Sequence, residues 1–123
     1  MKHSQAFEKL VAEVRPRIKE ISVDEVIRKQ NQGDGFAFID VREDREWQTE
    51  RAKGAFHIGR GILERDIEKY VPDFEREIVL YCGGGYRSAL AADNLQRMGY
   101  KRVFSMQGGF RAWKELEHPL EAG

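Results

Sequence analysis

Three features of the chain predict an α/β fold, a parallel sheet covered by helices on both faces. Short apolar, β-favouring runs recur at residues 36–39, 78–81 and 103–106. Segments with apolar residues at helical spacing alternate with them, and that alternation argues for parallel strands joined by crossover helices. Glycine clusters at Gly83-Gly84-Gly85 and Gly108-Gly109 mark where the chain leaves a strand and enters a helix. At 123 residues this is one domain, able to bury a core without a disulfide or a metal.

Phe7, Leu10, Val11 and Val14 share one face of a helix over residues 3–15, limited by Pro16. Residues 1–16 are read as an N-terminal helical extension and residues 17–123 as the domain. The extension is expected to pack on that domain, with docking to a partner as the alternative. Residues 18–21 form a short edge strand. Ser22 and Glu25 then read as a capping box opening a helix to about residue 30, with Val23, Val26 and Ile27 inward.

After the turn Gly33-Asp34-Gly35, the strand at 36–39 ends in Asp40-Val41-Arg42-Glu43. A structural role is expected for that cluster: Asp40 accepting backbone N–H bonds and Arg42 tying neighbouring loops. Residues 43–50 form a short helix anchored by Trp47, and residues 54–58 lead into the loop Gly59-Arg60-Gly61. Leu63, Ile67 and Tyr70 predict a helix ended by Pro72. The strand at 78–81 follows, then a helix carrying Ala89, Leu90, Ala91, Ala92, Leu95 and Met98. The strand at 103–106 leads into a last helix with Phe110, Trp113 and Leu116.

The only cysteine, Cys82, stands where a strand ends and the chain turns into a helix. In a parallel sheet ligands bind beyond the carboxyl ends of the strands, which is where Cys82 falls. Glycines after it let the backbone take φ > 0 and turn N–H groups toward one point. Such a nest, with the positive end of the following helix, stabilises an anion on the sulfur. Arg87 adds a fixed positive charge. The alternatives are a buried structural cysteine or a phosphate-binding turn. However, neither the Walker pattern nor the dinucleotide glycine fingerprint is present, and a structural cysteine does not explain the glycines and the arginine behind it.

Composition removes several function classes. Twenty-one Lys and Arg balance twenty-one Asp and Glu, so no global field draws the chain to nucleic acid or an anionic membrane. Only the pairs Arg15/Arg17 and Lys101/Arg102 speak for nucleic acid, without interleaved aromatics. No apolar run reaches the roughly 20 residues of a membrane span. One cysteine fits a reducing, cytoplasmic setting. With His3, His57 and His118 scattered, there is no metal-ligand spacing, and neither a metal nor a cofactor is expected.

Four motifs in order carry a family resemblance: D-V-R-E at 40–43, G-A-x-H-I at 54–58, C-G-G-G-Y-R-S at 82–88 and G-G-F-x-A-W at 108–113. Together they resemble a rhodanese domain over about residues 18–117. The resemblance implies a parallel sheet of about five strands and a sulfurtransferase acting through a persulfide on Cys82. The donor is a small sulfur-containing anion such as thiosulfate, and the acceptor is cyanide or a thiol. The substrate-binding residues are then Gly83, Gly84, Gly85, Tyr86, Arg87 and Ser88, with N–H groups along this run holding the persulfide.

Arg87 either binds the sulfonate end of thiosulfate or turns away to brace the loop. Tyr86 walls the pocket mouth or simply packs, and Ser88 caps the helix while its N–H faces the sulfur. Asp40, Arg42 and His57 match the family's supporting positions. Gly59 stands where many family members have proline. The spacing C-x-x-x-x-R is one residue shorter than in related phosphatases of this fold, which argues against a cysteine phosphatase or arsenate reductase. A sulfur-relay module with a protein donor or acceptor is the other alternative, and a monomer is the expected state.

Overall fold

The structure, a computed structural model, describes residues 3–122. Residues 1 and 2 of the expected extension and residue 123 of the expected domain lie outside the described residues. Five parallel strands form the main sheet: β1 (Lys19–Ile21), β2 (Ala37–Asp40), β4 (Phe56–His57), β5 (Ile78–Tyr81) and β6 (Val103–Met106), in the order β1-β6-β5-β2-β4. β5 is central, paired with β2 through Ile39↔Leu80 and with β6 through Leu80↔Ser105. All four of its residues are buried, which is why it reads as an unbroken apolar run.

Side chains alternate across the sheet, so each face has its own core. On one face Ile39, Ile78, Leu80 and Cys82 pack with Leu63 and Ile67 of α4 (Leu63–Tyr70) and with Ala91, Ala92 and Leu95 of α5 (Tyr86–Arg97). On the other, Phe38, Val79, Tyr81 and Met106 pack with Val23 and Val26 of α2 (Val23–Asn31) and with Phe110 and Trp113 of α6 (Gly109–Glu115). Small alanines on the inner side of α5 let that helix lie close to the strand carrying Cys82. Each fully buried Leu or Ile contributes roughly 1.5–3 kcal/mol.

The N-terminal helix α1 (Gln5–Val14) is capped by Ser4, whose Oγ accepts from Phe7 N–H at 3.2 Å. Val11 and Val14 are buried against Ala89 of α5, with Phe7 and Tyr86 beside them. A 3-10 turn at Arg15–Arg17 follows, tied to α5 by Arg17, which donates to Asp93 at 3.0 and 3.1 Å. Thus α1 packs on its own domain.

Several local expectations change. Leu10, Tyr70 and Leu116, assigned to helix faces, are exposed. Ser22 does cap α2 through Glu25 N–H, but the Glu25 carboxylate receives the Ser22 hydroxyl rather than a backbone N–H. The reciprocal capping box lies instead at α3 (Asp44–Thr49), between Glu43 and Glu46. A separate antiparallel pair, β3 (Glu50–Ala52) with β7 (Leu120–Ala122), ties the C-terminus to the chain after α3. No described helix is long and apolar enough to cross a membrane.

Candidate active site

Cys82 follows β5 directly and is almost fully buried. Its Sγ accepts from the N–H of Gly85 at 3.2 Å and of Ser88 at 3.3 Å, and the thiol faces Ser88 Oγ at 3.5 Å. Gly85 is the one loop glycine whose φ requires glycine, at +95°, and it caps α5 with its backbone. The two donors and the N-terminus of α5 converge on one sulfur, an arrangement that favours negative charge there.

The loop is also held from outside. Phe110 and Arg111, at the start of α6, donate their N–H groups to the carbonyls of Cys82 (2.7 Å) and Gly83 (3.0 Å). This needs a close approach: a Cβ on Gly109, whose φ is +56°, would lie 2.8 Å from both C and O of Gly83 and nearer still to Cys82 O. The second glycine cluster read in the sequence therefore makes room for the first.

Ser88 does not cap α5 as expected, because its Oγ turns inward to Ser105 Oγ at 2.8 Å. Only its N–H has the expected role of facing the sulfur. Tyr86 turns its ring from the loop to α1, 4.2 Å between centroids from His3 and 5.7 Å from Phe7, with the Arg15 guanidinium over it. Arg87 pairs with Glu46 of α3 at 3.0 and 3.4 Å, the bracing arrangement rather than a free cation. Burial alone would raise the Glu46 carboxyl. The hydrogen bonds from Arg87 and from Glu43 N–H outweigh burial and hold it below its ordinary range.

Asp40 and Arg42 form a buried ion pair at the end of β2, with Asp40 accepting from Arg42 N (2.8 Å), Nε and Nη2 (2.8 Å). Arg42 also donates to Glu50 O at 2.8 Å and lies 4.1 Å over the Phe110 ring. Desolvation works against the guanidinium, yet Asp40 raises its pKa overall. His57, at the end of β4, donates from Nε2 to Arg42 O at 2.8 Å and stacks on Trp47. All three residues support the strand ends; none touches the sulfur.

Glu46, Ser105 and Arg111 are the site neighbours that motif reading missed. The signal for Arg111 was its position directly after a β-to-α turn, since such turns share one edge of a parallel sheet. Among the described residues no cluster of three or more His, Cys, Asp or Glu could hold a metal ion.

The sequence profile of the rhodanese-like domain matches residues 22–116. The chain belongs to the rhodanese-like domain family. Thiosulfate sulfurtransferase GlpE of Haemophilus influenzae is 34% identical over 87 residues, 71% of this chain and 81% of that protein. A Rhodopseudomonas palustris protein of unknown function, described as a possible tyrosine phosphatase, shares 30% identity with a TM-score of 0.85 over 98% of both chains. The polysulfide-sulfur transferase homodimer of Wolinella succinogenes shares 26% identity with a TM-score of 0.80, covering 94% of this chain and 87% of that one. The rhodanese-like match begins after α1 and β1, although β1 is an edge strand of the same sheet.

Proposed function

We propose that this protein is a rhodanese-type sulfurtransferase. It moves a sulfane sulfur from thiosulfate or a persulfide donor to cyanide or a thiol, through a persulfide on Cys82. The observation that carries this is the convergence of Gly85 and Ser88 N–H groups on the sulfur of the only cysteine. The Haemophilus and Wolinella relatives, both named for sulfur transfer, support it.

The reaction is ping-pong. The Cys82 thiolate, its proton released to solvent, attacks the outer sulfur of thiosulfate. The S–S bond of the donor breaks and sulfite leaves with the bonding pair, while the outer sulfur stays on Cys82 as an anionic persulfide. The loop N–H groups that converge on Sγ favour the anionic product, and α6 holds the loop backbone through the carbonyls of Cys82 and Gly83. Cyanide or a thiolate then attacks the outer sulfur, and Cys82 leaves as the thiolate. Residues 17–123 carry this activity, with residues 1–16 as an extension whose helix α1 packs on the domain. The protein acts as a monomer in a reducing, cytoplasmic setting.

A phosphatase is the second reading, since the Rhodopseudomonas protein is described as a possible tyrosine phosphatase. Four residues between Cys82 and Arg87, and an Arg87 engaged by Glu46, speak against a loop that encircles phosphate. The test is thiocyanate formation from thiosulfate and cyanide beside hydrolysis of an aryl phosphate. Thiocyanate formation lost in Cys82→Ser is expected. Aryl phosphate hydrolysis lost in Cys82→Ser, with no thiocyanate formed by the wild type, would overturn the proposal. A relay module is distinguished by taking sulfur from a persulfidated protein and not from thiosulfate.

A further inference from the structure

A thiosulfate-like donor carries negative charge on its sulfonate end, and productive binding calls for a cation at the loop that no carboxylate already neutralises. Most nearby cations fail this condition. Arg87 is held by Glu46, Arg42 by Asp40, Arg60 by Glu64, and Lys114 by Glu50. Arg111 meets it. Its guanidinium lies against the loop, with Nη1 and Nη2 3.8 and 3.9 Å from where a Cβ on Gly84 would stand. The residue is exposed, and among the described residues no carboxylate pairs with it. Its own backbone N–H is bonded to Gly83 O, so the root of the side chain is fixed to the loop it serves.

Arg45 is also exposed and unpaired among the described residues, but it does not approach the side-chain positions of Gly83, Gly84 or Gly85. Gly84 itself makes room: any side chain there would come into contact with the Arg111 guanidinium. A planar guanidinium with two outward N–H edges suits a sulfonate, whose oxygens accept in pairs.

We propose that Arg111 is the substrate-binding residue that holds the anionic sulfonate end of the sulfur donor at the rim of the Cys82 loop. This rests on the sulfur-transfer function proposed above. The division of labour is then plain: Arg87 fixes the loop through Glu46, and Arg111 meets the donor.

The test is steady-state thiocyanate formation by the wild type, Arg111→Ala, Arg111→Lys, Arg111→Glu and the control Arg45→Ala. Intact mass of each protein after thiosulfate treatment is recorded alongside. Arg111→Ala is expected to raise the KM for thiosulfate about tenfold, with kcat changed by less than about threefold. Arg111→Lys is expected to recover most of that loss, Arg111→Glu to deepen it, and Arg45→Ala to leave KM in place. Added salt should lower kcat/KM of the wild type more steeply than that of Arg111→Ala, because the steering charge is gone.

A loss of loop structure alone would not follow the charge at position 111 or the salt. If the wild type turns over and Arg111→Ala and Arg111→Glu keep its KM, the assignment of Arg111 falls and sulfur transfer stands. If the wild type gains no sulfur from thiosulfate, the assignment of Arg111 falls; if it gains none from a persulfide donor either, sulfur transfer falls with it.

Discussion

Arg87 Nη1 lies 3.0 Å from Glu46 Oε1, joining the residue that follows the cysteine loop to a helix 41 positions earlier in the chain. Glu46 also accepts from Glu43 N–H at 3.0 Å, so one carboxylate caps α3 and braces α5. The first motif thereby contacts the third through a residue that belongs to neither. Both side chains are about one-third exposed (32% each), which limits what the pair adds to stability.

A double-mutant cycle with Glu46→Gln and Arg87→Ala should give a coupling of about 0.5–1.5 kcal/mol in urea unfolding. Additive single effects would show that the pair is ornamental to stability.

Acid should weaken the fold through the same carboxylate. Glu46, as described, and Asp93, through hydrogen bonding by Arg17, both have folded-state pKa values below the ordinary ones of 4.5 and 3.8. A lowered carboxyl stabilises the fold above its unfolded pKa, and that stabilisation is lost as pH falls through the folded one. Unfolding free energy should therefore drop with pH below about 4.5. The slope should be shallower in Glu46→Gln and Asp93→Asn. Unchanged slopes in both variants would remove these two groups as the cause.

Asp40→Asn should be the most damaging of the conservative changes. It leaves the Arg42 guanidinium buried without its counter-charge, at a cost of about 3–5 kcal/mol. Urea melts measure this directly. A loss below about 1 kcal/mol would mean that Glu50 O and the Phe110 ring suffice to hold Arg42.

Gly109→Ala tests the close approach of α6 to the loop. A methyl group there meets the carbonyls of Cys82 and Gly83, on a backbone with φ +56°. The helix must move, taking the N–H groups of Phe110 and Arg111 off those carbonyls. A stability loss of roughly 2–4 kcal/mol is expected, together with slower sulfur loading of Cys82. Gly84→Ala, whose Cβ meets only Arg111 at ordinary contact distance, should cost far less.

The strands and the cysteine turn were legible in the sequence because β2, β5 and β6 are buried on both faces and read as plain apolar runs. β4 was not, since two half-buried residues leave no periodic signal. The β3–β7 pair sets half-buried Glu50 and Arg51 against an exposed β7, so it carries no apolar run. Ser88 looked like a cap because it begins a helix. Its true partner, Ser105, sits on a neighbouring strand that only the sheet order brings near. Glu46 and Arg111 escaped for the same reason: their meaning lies in which strand ends the fold places side by side.

The chemistry itself is tested most directly by the intact mass of the protein after incubation with thiosulfate, for the wild type and for Cys82→Ser. Sulfur transfer through Cys82 predicts a gain of one sulfur atom in the wild type, removed by cyanide, and no gain in Cys82→Ser. A wild type that stays unmodified after both thiosulfate and a persulfide donor, or a Cys82→Ser protein that still takes up sulfur, would contradict it.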